Sequence, residues 1–406
     1  MSEKPGEPFR VALSLSPFSL PQFEQGYTFQ VEEQTASTPQ ELQKIYCARG
    51  ATEMFTRIAT KRFASPDGNA DGKEDNNAIL EQGLALCRIA AELGIPINPE
   101  IMCAYTYMDM GIQQAPNFEE YPEIYALQRG KPWEELNLGE ICAVLKAYGQ
   151  FVAESILKTG CTVRNWNLGN EANYGFAGIS YGLKTAVNPK LAKMPPFLRY
   201  VLPSFAIGWF KRNVWRYDAK ALAALREGIL AAYEKKSMDA SGVRFSTHIA
   251  TVVATPRICA SYFNCLKENG YALDTAGISY YPSAPAMCRD KDKLLKKTVT
   301  AIYEQCGLPV FIAEYAYPSG PMEGPFAGWN QKAGNYAQNQ QGQAALYADV
   351  IAWGKTHHVA GIRYWAPDFK GWYTMSMFEF QGKKGISKEI LNRHLEIIRN
   401  NTARVL

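Results

Sequence analysis

Gly160-Cys-Thr-Val-Arg-Asn-Trp-Asn-Leu-Gly-Asn-Glu171 is the stretch on which the fold turns. Gly160 stands where a helix needs a left-handed C-cap. Thr162–Leu168 then reads as a buried strand, and a carboxylate follows where that strand runs out. The same block recurs along the chain. Phe9–Leu15, Glu53–Ala59, Ile97–Ala104, Thr162–Leu168, Val243–Ile249, Ala276–Tyr280, Val310–Ala313 and Ala360–Trp365 read as strands, each followed by a helical pattern. Thr38-Pro-Gln-Glu41 is a capping box with proline at the first helical position, and Gly50 closes that helix. Thr255-Pro256 opens another helix, closed by Gly270, while Gly94 and Gly307 take C-cap positions like Gly160. Eight strand–helix units without a break in composition predict an α/β chain folded as a single (β/α)8 TIM barrel over residues 1–406. The competing architecture, an open doubly wound sheet, would carry a glycine-rich phosphate loop after an early strand, and none is present.

Two segments exceed the minimal barrel, near 106–133 and 174–215. Both follow strands, which places them on the C-terminal face with the other long loops, where barrel active sites lie. The second is strongly apolar, but Pro195, Pro196, Pro203 and its charges exclude a spanning helix. It reads as a lid or wall over a cleft, with a membrane-surface segment or a dimer contact as alternatives.

Composition removes several function classes. With 47% apolar residues the chain can bury a large core, and a net charge of +4 leaves no nucleic-acid footprint. The nine cysteines are scattered and form no C-x-x-C pair, as expected for reduced core thiols. The first residues contain no apolar run of a secretion signal, so a cytoplasmic location is expected. Only four histidines are present, and His357-His358 falls in a late helix, which disfavours a metal-dependent hydrolase. No metal and no cofactor are expected.

The chemistry concentrates at two carboxylates. Glu171 ends the fourth strand and Glu314, in Val310-Phe-Ile-Ala-Glu-Tyr-Ala-Tyr-Pro318, ends the seventh. A charge closing a buried run is costly unless it is solvated or paired. In a barrel these two strand ends are expected to face one another across the mouth. Glycoside cleavage needs such a pair, one acid to protonate the leaving oxygen and one carboxylate at the anomeric carbon; a retaining enzyme holds them about 5–5.5 Å apart. The alternative for either glutamate is an ion pair with a barrel Arg or Lys.

These motifs resemble clan A glycoside hydrolases, and specifically glycoside hydrolase family 53, the arabinogalactan endo-β-1,4-galactanases. Leu168-Gly-Asn-Glu171 is similar to the family's acid/base motif, and Ile312-Ala-Glu-Tyr-Ala-Tyr-Pro318 to its nucleophile segment. Gly277-Ile-Ser-Tyr-Tyr-Pro282, Gln341-Gly-Gln-Ala, Tyr364-Trp-Ala-Pro367 and Ser376-Met-Phe-Glu resemble its later segments. The resemblance implies a retaining mechanism on β-1,4-galactan or galacto-oligosaccharides, with Glu171 as acid/base and Glu314 as nucleophile. It implies that Arg57 lies near the nucleophile, that Asn170 binds the sugar 2-hydroxyl, and that Tyr280 or Tyr281 donates to the nucleophile. It also places His248 near the cleft and Trp365 as the floor beneath the sugar. Arg57 as an ion-pair partner, His248 as a core histidine and Trp365 as packing are the structural alternatives. Some family members bind calcium after the seventh strand; here that loop, Ser319 to Gln341, has one acidic residue, Glu323, so no calcium site is expected. Cys103-Ala-Tyr-Thr-Tyr-Met-Asp109 departs from the family's His-Tyr-Ser-Asp type stretch after the third strand. The alternatives to galactanase activity are another clan A specificity (β-galactosidase, glucanase, mannanase or arabinosidase) and a non-catalytic carbohydrate-binding relative. The expected partner is an oligo- or polysaccharide, and the oligomeric state is left open.

Overall fold

The computed structural model describes residues 8–61, 78–105, 108, 113–195, 198, 206–250, 255–285 and 290–400. The principal strands are β1 (Arg10–Ala12), β2 (Met54–Ile58), β3 (Ile97–Ile101), β4 (Asn165–Leu168), β5 (Arg244–Ala250), β6 (Thr275–Tyr280), β7 (Val310–Tyr315) and β8 (Val359–Tyr364). They alternate with helices α1 (Pro39–Ala48), α2 (Leu80–Leu93), α3 (Leu138–Leu157), α4 (Arg216–Lys235), α5 (Pro256–Glu268), α6 (Lys291–Cys306), α7 (Gln340–Gly354) and α8 (His394–Arg399). The strand order is β1-β8-β7-β6-β5-β4-β3-β2, and the pairs β1–β8, β7–β8, β3–β4 and β4–β5 are parallel. The fold is a (β/α)8 barrel. β3, β4, β6 and β7 are buried at every residue, and β3 and β4 bury polar side chains, Asn98, Glu100, Asn165 and Asn167 among them.

The chain divides into two compact units, Met1–Phe55 with Gly277–Leu406, and Thr56–Ala276. In the first, the Thr52 amide donates to the Val11 carbonyl at 2.9 Å and the Phe55 amide to the Ser14 hydroxyl at 3.2 Å, tying β1 to the start of β2. A small sheet that the sequence pattern does not predict also belongs to this unit. Thr28–Val31, Gln34–Ala36, Phe378–Gln381 and Lys384–Ser387 pair in the order third, fourth, first, second. Each strand is only three or four residues long, too short for a period-two pattern to register.

In the second unit α3 and α4 pack closely. A Cβ on Gly149 would sit 2.4 Å from the Leu225 carbonyl oxygen, and one on Gly228 would sit 1.9 Å from the Lys146 oxygen. The two insertions also meet here. The Trp133 indole donates to the Ala177 carbonyl at 2.9 Å, and Phe118 lies edge-on to Tyr148 at 4.9 Å. Phe210 and Trp215 of the later insertion are fully buried, and the Trp215 indole donates to the Asn173 carbonyl at 2.9 Å. These two side chains are therefore spent on this unit's own packing. Part of each insertion, including 106–107, 109–112 and 199–205, lies outside the described residues. Among the described residues no helix is long and apolar enough to cross a membrane.

The predicted helix signals have physical counterparts. Thr38 accepts from the Glu41 amide while Glu41 accepts from the Thr38 amide at 3.0 Å, and Gly94 and Gly307 close their helices at φ +64° and +67°. One boundary differs with consequence. β7 continues past Ala313 to Tyr315, its ladder extended by the Trp365 amide donating to the Tyr315 carbonyl at 2.9 Å. Glu314 is therefore a residue within the strand.

Candidate active site

The surroundings of Glu171 are built on β2 to β5. β4 ends at Leu168, and Gly169 turns the chain at φ +78° before Asn170 and Glu171. Glu171 itself holds a left-handed backbone, φ +48° and ψ +42°, and is 8% exposed. Cys103 and Ala366, just beyond β3 and β8, share that unusual conformation at φ +50° and +46°. Non-glycine residues persist there only when their surroundings over-determine them, at a cost of about 1–3 kcal/mol each, and such residues cluster at functional sites.

Asn170 is fixed from two sides. Its amide nitrogen donates to the Met108 carbonyl, and its oxygen accepts from Arg57 at 2.7 Å. The Arg57 guanidinium also pairs with Glu100 on β3 at 2.5 Å. Glu100 is fully buried, and its other oxygen accepts from the Asn167 amide at 2.8 Å. Asn167 lies 3.0 Å from the His248 Nδ1, and His248 Nδ1 lies 3.7 Å from Glu100. Arg57, Glu100, Asn167, Asn170 and His248 thus form one polar network. Glu100 and Asn170, on the side of Glu171, are among the partners of Arg57. His248 is fully buried within the network.

The surroundings of Glu314 are built on β6 to β8. Glu314 is 5% exposed, and the Tyr281 hydroxyl donates to its Oε2 at 2.8 Å. Of the two adjacent tyrosines it is Tyr281, one residue beyond β6, that reaches this carboxylate. Tyr280 places its ring 6.0 Å from Tyr315, and burial pushes its phenol well above the usual range. Tyr281 is walled by aromatic rings, with Trp329 at 5.2 Å and Trp372 at 5.8 Å, and Phe326 packs edge-on to Trp372 at 4.7 Å. Trp365 lies edge-on to Phe55 at 5.7 Å, and the Arg363 guanidinium covers the other ring at 3.6 Å from Phe55. Trp365 is 8% exposed. Among the described residues no three His, Cys, Asp or Glu side chains come together as a metal site.

The family model of glycosyl hydrolase family 53 matches residues 125–397. The chain belongs to glycosyl hydrolase family 53. Both glutamates, Asn170, His248, Tyr281 and Trp365 fall inside the matched range, whereas Arg57 and Glu100 precede it. This family 53 chain is similar in fold to a structure from work on two fungal β-1,4-galactanases, with 16% identity and a TM-score of 0.68 over 95% of this chain and 99% of that one. It is similarly like the family 53 catalytic domain of Ignisphaera aggregans, at 15% identity and a TM-score of 0.67, covering 97% and 98%. A xylanase of Cellvibrio japonicus solved with xylopentaose shares the fold at 12% identity and a TM-score of 0.51, covering 93% and 68%. No curated protein matches the chain in sequence. The chain is a glycoside hydrolase.

Glu100 and Asn167 escape a reading based on strand ends, because both lie inside strands. The available signal is Glu100 itself, a carboxylate in the otherwise uncharged run Ile97-Asn-Pro-Glu-Ile101. A buried charge requires a partner, and here Arg57 supplies it. Trp329, Phe326 and Trp372 sit in long loops, where sequence offers no guide to contact.

Proposed function

We propose that this chain is a retaining β-glycoside hydrolase of galactanase type, cleaving β-1,4-linked galactan or galacto-oligosaccharides by double displacement. The hydrogen bond from Tyr281 to Glu314 carries this reading. A carboxylate on a buried strand, given a phenolic donor, is stabilised in its ionised form, which is the form that attacks an anomeric carbon. Glu171 is the acid/base. It protonates the departing glycosidic oxygen, then takes the proton from the water that opens the glycosyl–enzyme. Asn170, oriented by Arg57, supports the sugar 2-hydroxyl, a contact that strengthens as positive charge develops on the ring. Trp365 forms an apolar floor for one sugar face, and His248 braces Glu100 and Asn167. The galactan specificity rests on family membership and on the galactanases among the similar structures.

The test uses aryl β-galactosides, β-1,4-galacto-oligosaccharides and azide. Glu314→Ala is expected to be inactive and to be rescued by azide to an α-galactosyl azide. Glu171→Ala should lose most on poor leaving groups and, with azide, give the β-azide. Wild-type hydrolysis of another β-sugar alone would move the specificity while keeping the mechanism. Azide products of the opposite anomers, or full activity in Glu314→Ala, would overturn the assignment.

A further inference from the structure

Beyond β3, the Thr56–Ala276 unit carries a groove of ≈ 670 Å³ that includes none of Arg57, Asn170, Glu171 or His248 in its lining. Its walls include Tyr105, Tyr125, Gln128, Glu119 and Glu134. We infer that this groove is a second saccharide-binding site, one that takes a neutral sugar of the substrate chain away from the bond being cleaved. The inference rests on the glycosidase reading for the identity of the sugar, and on the groove's own chemistry for the rest.

Three observations carry it. The Gln128 side chain is only 5% exposed, lines the groove and makes no hydrogen bond to any described residue. Its carboxamide is open to the groove without a protein partner and can both donate to and accept from a ligand or water. Tyr125 is the second observation: its ring is 40% exposed at the groove wall, a flat apolar face with a polar edge. Such a face suits the C–H side of a pyranose. The third is charge. Among the described lining residues there is no Lys, Arg or His, while Glu119 and Glu134 supply acceptors. That set repels an anionic ligand and satisfies the hydroxyl donors of a neutral polyol. The volume falls in the range of small-molecule sites, roughly 300–1,000 Å³.

The groove also has a physical route to the site. Met108, whose carbonyl holds Asn170, bridges Gln113, next to the lining residue Gln114. The lining residues from Tyr105 to Glu119 precede the family-matched range. Tyr125, Gln128 and Glu134 fall within it.

The test compares Tyr125→Ala and Gln128→Met with wild type on an aryl β-galactoside and on a β-1,4-linked galactohexaose. Tyr125 is exposed, so its variant is expected to fold normally. Both variants should raise KM for the hexaose by at least fivefold and leave aryl galactoside kinetics unchanged. Saturation-transfer NMR of Glu314→Gln with neutral β-linked oligosaccharides reads binding without turnover, and adding Tyr125→Ala should weaken it. Unchanged hexaose KM and unchanged oligosaccharide binding in both variants would overturn the groove while leaving the hydrolase reading intact. No hydrolysis by wild type, with NMR binding still lost in Tyr125→Ala, would overturn the substrate reading and keep the groove.

Discussion

Tyr281→Phe removes one oxygen and leaves the ring among Trp329, Trp372 and Phe326. What is lost is the 2.8 Å donation to Glu314 Oε2, between two groups that are 6% and 5% exposed. A hydrogen bond to a charged group contributes about 1.5–3 kcal/mol. If it serves the reactive, ionised form, kcat/KM should fall by roughly 10- to 150-fold, each 1.36 kcal/mol being tenfold in rate. The loss has a pH signature. The donor favours the ionised carboxylate, so without it the acid limb of the kcat/KM profile moves to higher pH. The deficit is then greatest on the acid side and shrinks above the limb. The assay is aryl β-galactoside hydrolysis across pH, with Tyr280→Phe as the comparison. The Tyr280 hydroxyl is buried and has no hydrogen-bond partner among the described residues, so its removal should leave the profile in place. Equal losses in the two variants, or a Tyr281→Phe profile matching wild type, would refute the reasoning.

Three further outcomes follow from the geometry. Glu100→Gln takes the charge from Arg57 and loosens its hold on Asn170, so kcat/KM should drop at least tenfold; unfolding should also become easier by about 3–5 kcal/mol, as for a broken buried pair. Chemical denaturation beside kinetics checks both, and a variant of unchanged activity would remove Arg57 and Glu100 from the site. Gly228→Ala would push a methyl to 1.9 Å from the Lys146 carbonyl oxygen; separating α3 from α4 should cost about 1–3 kcal/mol, visible as a lower Tm. Asp368, fully buried and accepting from Ser19, has its carboxyl pushed up to about 6 by desolvation. Its folded pKa lies above the unfolded value of about 3.9, so its contribution is full below pH ~4 and is lost as pH rises through ~6. Asp368→Asn should remove that decline, on the order of 3 kcal/mol between the two limits, in urea unfolding at successive pH values. Parallel stability curves for wild type and variant would show that the burial of this group is not what sets the slope.

The legibility of this chain differs by level. Local signals such as Gly94, Gly307 and the Thr38–Glu41 box act within one turn of backbone, so they read directly as caps and locate the helices that separate the strands. The short sheet joining Thr28–Val31 to Lys384–Ser387 pairs segments more than three hundred residues apart, and neither strand carries a pattern long enough to announce it. The candidate carboxylates stood out because a charge at the end of a buried apolar run, or inside one, has few structural explanations. Their partners were not. Whether Tyr280 or Tyr281 meets Glu314 depends on where β6 ends and how the chain leaves it, since one step along a strand reverses the side chain's face.

By itself the sequence determined the alternation of eight strands and eight helices and the family to which the chain belongs, and it singled out Glu171 and Glu314 as candidates. These are properties of neighbours in the chain, set by periodicity, capping and the cost of placing charge beside apolar residues. Only the tertiary structure decided that Glu100 on β3 is the counter-charge for Arg57 on β2 and a support for Asn167 on β4. It likewise decided that Gln128 faces a groove without a protein partner. Such pairings depend on which faces of separate elements come within hydrogen-bond reach. That is fixed by strand register and packing, and a one-dimensional pattern does not encode it residue by residue.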